Sequence, residues 1–113
     1  MSITTHVLDT SRGRPASGVT ITLSFREASG AYTELGRGET DADGRLRTLV
    51  PAGHALAAGV YRIVFDTGAY FAKLGIEGFY PEVPIVFTIR APEEHFHVPL
   101  LINPYGYSTY RGS

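Results

Sequence analysis

Two histidines stand two residues apart in His95-Phe96-His97-Val98-Pro99-Leu100. In an extended strand successive side chains alternate between faces, so His95 and His97 share one face and Phe96, Val98 and Leu100 the other. The apolar set must face a core, which turns both imidazoles outward or into an interface. Imidazoles at that spacing suit a metal site or acid–base work near neutral pH; two solvated polar positions are the plain alternative. His6 lies in a second alternating stretch, Thr4-Thr5-His6-Val7-Leu8-Asp9, and on its own reads as structural. His54, in the loop Pro51-Ala52-Gly53-His54, reads as solvent-exposed. The last nine residues hold Tyr105, Tyr107, Tyr110 and Arg111, an unusual density for a terminus. They read either as an edge strand with packed tyrosines or as a tail tied into a binding site.

Short strands must position these groups. Val19, Ile21, Leu23 and Phe25 alternate with Thr20, Thr22 and Ser24, a period of two with one buried and one wetted face. Residues 61–65 and 83–90 are rich in β-branched and aromatic side chains, and Pro84 assigns its position to an edge or a bulge. Residues 31–37 and 45–50 predict weaker strands, and residues 94–101 and 105–111 two more around Asn103-Pro104. Glu27–Gly30 predicts a hairpin loop and Asp43-Gly44 a turn. Thr67–Gly75 breaks the pattern: Tyr70, Phe71 and Leu74 recur at helical spacing, Thr67 suits an N-cap and Gly75 a stop. The thirteen glycines and seven prolines punctuate the whole chain. Seven or eight short strands with one helix predict an all-β sandwich.

Composition narrows the function classes. The chain has 113 residues, the size of one domain with one core. It has no cysteine, which excludes disulfides, thiolate metal sites and thiol nucleophiles. Ten basic against eleven acidic residues give none of the basic excess of a nucleic-acid binder. No apolar run approaches the roughly 20 residues of a membrane span, and Met1–His6 lacks the basic and apolar regions of a signal peptide, so a cytoplasmic protein is expected. Glu39–Gly44 resembles the start of a calcium loop, but the position that requires a bidentate glutamate falls on Val50, leaving a polar hairpin turn. Gly36-Arg37-Gly38 lacks the third glycine of a dinucleotide site.

Thr5-His6-Val7-Leu8-Asp9, Asp43-Gly44-Arg45, His95-Phe96-His97-Val98-Pro99-Leu100-Leu101 and the terminal Tyr110-Arg111-Gly112-Ser113 together resemble the transthyretin-related 5-hydroxyisourate hydrolases. The motifs occur in the same order from residue 3 to the last residue. The resemblance implies one domain over residues 1–113, folded as a transthyretin-like sandwich of two four-stranded sheets with a short helix. It implies a homotetramer whose subunit interface encloses the active sites, and hydrolytic opening of 5-hydroxyisourate in urate breakdown without metal or cofactor. Carried over by motif, His6, Arg45, His97 and Ser113 are the catalytic set. Tyr110 joins His6 and Arg45 in holding substrate, and His95 and Arg111 are additional site residues. The family arginine falls on Arg45 because it directly follows Asp43-Gly44, with Arg47 as the competitor.

Opening a cyclic amide requires that water lose a proton, the carbonyl oxygen gain negative charge and the leaving nitrogen gain a proton. Histidine can serve as base and then acid, and the planar fork of arginine suits an oxyanion. Ser113 offers a hydroxyl and, as the last residue, a carboxylate. Three other readings compete. A small-ligand carrier like transthyretin shares the fold, but transthyretin lacks the histidine and arginine pattern and the Tyr-Arg-Gly-Ser ending. A zinc hydrolase would use His6, His95 and His97. A plain sandwich binding module leaves the outward histidines and the tail unexplained.

Overall fold

A computed structural model describes residues 2–113. Along the described residues run β1 (Ser2–Asp9), β2 (Arg14–Pro15), β3 (Thr20–Arg26), β4 (Tyr32–Glu39), β5 (Arg45–Leu46), β6 (Gly59–Phe65), α1 (Thr67–Lys73), β7 (Val83–Ile89), β8 (His95–Asn103) and β9 (Gly106–Thr109). One sheet has the order β4-β3-β6-β7 and is antiparallel throughout. The other has the order β2-β1-β8-β9, with β5 also paired to β1. Its central pair, β1 and β8, is parallel. This is the expected two-sheet sandwich with one short helix, except that the two four-stranded sheets expected give way to one of four strands and one of five, because the short β5 adds to the β1 edge. Among the described residues no helix is long and apolar enough to cross a membrane.

The alternation expected from the sequence decides which side chains the sheets enclose. Ile3, Val7, Ile21, Leu23, Ile63, Phe65, Leu100 and Ile102 meet between the sheets with almost no exposed surface. Full burial of such a side chain is worth about 1.5–3 kcal/mol. Ser2, Thr4, His6 and Leu8 take the outer face of β1, and His95 and His97 the outer face of β8. Pro84 sits on β7, an edge strand paired only to β6, as its missing N–H requires.

Four other expectations shift. The N-cap of α1 is Asp66, whose carboxylate accepts the Ala69 N–H at 3.3 Å, and Thr67 is the first helical residue. Leu74, expected on the apolar stripe, is 38% exposed; Tyr70 and Phe71 do the docking, and the Tyr70 hydroxyl donates to buried Asp9 at 2.8 Å. The strand expected over residues 45–50 ends at Leu46. Beyond it the chain leaves the ladder to lay its backbone against Gly36, where a side chain would strike the Leu49 carbonyl. The last strand ends at Thr109 rather than residue 111, and the tail that follows crosses back over β8.

Candidate active site

The parallel pairing of β1 and β8 sets Thr4 opposite His97, His6 opposite Pro99 and Ser2 opposite His95. The Thr4 hydroxyl lies 2.8 Å from His97 Nδ1 and 3.2 Å from His95 Nε2. Ser2 Oγ engages His95 Nδ1. Thr4 has one proton to give and lone pairs to accept with, so it can join the two histidines in one chain of hydrogen bonds. The imidazoles lie nearly parallel, their centroids 6.4 Å apart. Burial holds the pKa of His97 below its ordinary 6.5, and the charges of Arg45, His95 and His6 push the same way. These effects favour the neutral imidazole of His97, the form able to accept a proton.

On the opposite edge of β1, β5 places Arg45 across from His6. A tight turn delivers it. The Asp41 carboxylate accepts the N–H groups of Asp43 at 2.9 Å and Arg45 at 3.0 Å, and the Asp41 carbonyl accepts Gly44 N–H at 2.9 Å. The Arg45 N–H is the main reason the Asp41 carboxyl is held below its ordinary pKa. Gly44 has φ +75°, and a side chain there would strike the Val7 carbonyl, so the turn needs glycine. His6 Nε2–H donates to the Asp43 carbonyl at 2.9 Å. Arg47 also reaches this face, but it is 64% exposed and lies 3.8 Å from Asp41.

The tail closes the third side. Gly112 N–H donates to the His97 carbonyl at 2.8 Å in an antiparallel bridge. A Cβ on Gly112 would lie 2.5 Å from His97 Cδ2 and 3.2 Å from Pro99 Cγ. The tail thus buries Pro99, although Pro99 belongs to the outward set of β8. A cleft of about 300 Å³ results, lined by Thr4, Thr5, Arg45, Arg47, His95, His97 and Ser113.

Of the expected site residues, the cleft gathers Arg45, His95, His97 and Ser113, and His6 flanks Arg45 across the ladder. Tyr110 and Arg111 line an adjoining cleft of about 350 Å³ on the other side of His97. Arg111 spends its guanidinium on Glu94 at 2.9 Å and on the Phe96 ring at 4.6 Å, which makes it a strut for the tail. Among the described residues no three His, Cys, Asp or Glu side chains are arranged to hold a metal ion, so His6, His95 and His97 do not form the trio a zinc hydrolase would need. A wider depression of about 600 Å³ around Arg12, Arg14 and Lys73, near the far end of β1, contains none of these residues.

The HIUase/Transthyretin family model matches residues 3–112. The chain belongs to that family. It is 47% identical to the 5-hydroxyisourate hydrolase of Salmonella typhimurium over 111 residues, 98% of this chain and 80% of the relative. The solved 5-hydroxyisourate hydrolase of Klebsiella pneumoniae is 45% identical, with TM-score 0.84 over 99% of this chain and 93% of that one. Sea bream transthyretin, solved in complex with thyroxine, is 34% identical with TM-score 0.90 over 97% of this chain and 93% of that one. Within the HIUase/Transthyretin family the backbone therefore does not separate the hydrolases from transthyretin; the side chains of the site do.

Two participants, Thr4 and Asp41, escaped the sequence reading, and a third, Gly112, was read only as part of the terminal motif. Thr4 was legible only as the residue two before His6, hence on its face. Asp41 carried a signal in Asp-x-Asp-Gly, an aspartate opening a turn with glycine at its fourth position. Gly112 stood in the terminal motif, but its contact with His97 had no signal there, because the two residues meet only when the tail returns over β8.

Proposed function

We propose that the protein, as a single domain over residues 1–113, is a 5-hydroxyisourate hydrolase that opens its substrate to 2-oxo-4-hydroxy-4-carboxy-5-ureidoimidazoline in urate breakdown. The observation that carries this reading is the meeting of His97, the Arg45 guanidinium and Ser113 in one cleft. Relatives 46–49% identical over nearly the whole chain and named 5-hydroxyisourate hydrolase support it. In the proposed reaction a histidine, His97 or His6, takes a proton from water as the oxygen adds to the carbonyl carbon. Arg45 stabilises the oxyanion with two donors, and the protonated histidine returns its proton to the nitrogen as the C–N bond breaks. Ser113 orients the water or the imidazole. No metal or cofactor enters these steps.

We place Tyr110 with His6 and Arg45 at the substrate within a homotetramer. Its support is Tyr110, 60% exposed, beside Val86, 54% exposed, an aromatic and an apolar side chain suited to a joint between copies. A scattering mass equal to one chain at micromolar concentration rejects the assembly. A cytoplasmic location completes the proposal.

The test is the ultraviolet decay of freshly generated 5-hydroxyisourate against its spontaneous background. Accelerated decay that persists with chelator is expected. No acceleration rejects the enzyme and favours a carrier, in line with the likeness to transthyretin; activity lost with chelator favours a metal hydrolase.

A further inference from the structure

His6 has a bond that determines its chemistry. Its Nε2 lies 2.9 Å from the Asp43 carbonyl oxygen, and a carbonyl can only accept. The ring proton of neutral His6 therefore sits on Nε2 and the lone pair on Nδ1. The carbonyl in turn is fixed by its peptide, which the turn grips on both sides. Asp41 Oδ1 takes Asp43 N–H at 2.9 Å on one side, and the Gly44 carbonyl takes Val7 N–H at 2.7 Å on the other. The same Oδ1 takes Arg45 N–H at 3.0 Å.

We propose that Asp41 is a positioning residue: by closing the turn it fixes the ring orientation and Nε2–H tautomer of His6 and, in the same act, the backbone of Arg45. Its claim to matter for catalysis rests on the hydrolase reading above; its effect on the His6 ring does not. The competing role for Asp41 is its ion pair with Arg47. At 3.8 Å, with side chains 64% and 51% exposed, that pair is of the kind that contributes little. Asp41 itself touches neither of the cleft's histidines; it acts through two backbone N–H groups and one carbonyl.

Two readouts test this. In nitrogen-15 NMR of the intact protein with His6 in its neutral form, the Nε2-bound proton is expected to be visible and protected from exchange, with Nδ1 unprotonated. Asp41→Ala should broaden that proton away, Asp41→Asn should keep it because the amide oxygen still accepts, and Arg47→Ala should leave it unchanged. In turnover assays Asp41→Ala should lower kcat by about tenfold with KM little altered, as expected of lost orientation, and Asp41→Asn should restore it. A wild-type ring protonated on Nδ1 overturns the proposal whether or not the variants fold. So does an unchanged His6 proton in Asp41→Ala, or its loss in Arg47→Ala. A protein without hydrolase activity that shows the expected spectra fails the functional reading and leaves the turn's role standing.

Discussion

Gly112→Ala isolates the tail's contribution without shortening it. The added methyl would lie 2.5 Å from His97 Cδ2, 3.3 Å from its Cγ and 3.2 Å from Pro99 Cγ. Carbon atoms settle at about 3.5–4.0 Å, so either the imidazole or the tail must move by roughly 1 Å. A misplacement of that size can cost about 10²-fold in rate, because His97 shares its cleft with Arg45 and with Ser113, the residue next to the substitution. The stability cost should be small. The main loss is the Gly112 N–H bond to the His97 carbonyl, worth about 1 kcal/mol, or roughly 4 °C in Tm. The assay is the initial rate of 5-hydroxyisourate decay beside thermal unfolding, with Gly106→Ala as the control. There the nearest atom to a new Cβ is Asn103 Nδ2 at 3.7 Å, an ordinary contact. Near-normal turnover in a folded Gly112→Ala protein would refute the reasoning, since it would mean that neither His97 nor Ser113 must hold its place. Equal losses in both variants would refute it as well.

Arg45→Lys should lose about as much turnover as Arg45→Ala, roughly 10²-fold, because lysine keeps the charge and loses the planar fork; a near-normal lysine variant would reduce Arg45 to a diffuse charge, and a near-normal alanine variant would transfer the role to Arg47. The pKa of His97 is lower in the folded chain than its ordinary 6.5, so the unfolded chain binds more protons. Its contribution to stability should be complete above 6.5 and fall as pH drops from there through the lower folded value. Thermal unfolding of wild type and His97→Asn between pH 8 and pH 5 measures this (the window brackets about 6.5), and identical pH slopes would show that the ring is not desolvated.

Much of the fold was written in local spacing. The period of two in residues 19–23 and in His95–Leu100 decided which side chains would be enclosed, and it turned His95 and His97 outward before any partner strand was known; it failed at Ser24, which a bulge after Leu23 buries, leaving Phe25 half-buried. Pro84 announced an edge. Tyr70 and Phe71 announced the helix, although the capping carboxylate came one residue earlier, at Asp66, because an N-cap depends on where the strand before it ends. The motifs carried the family.

Neighbours in space were not written there. Thr4 and His97 are 93 residues apart and meet only because β1 and β8 pair in parallel with that register. His6 and the Asp43 carbonyl are separated by 37 residues, and a backbone carbonyl has no sequence signature at all. Pro99 belongs by alternation to the outward face, yet it is buried because the last residues return over it. Side-chain alternation is a property of one strand and can be read residue by residue. Strand pairing, a tail's return and the bond that sets an imidazole's proton depend on the packing of segments far apart in the chain, and those only the tertiary structure decided.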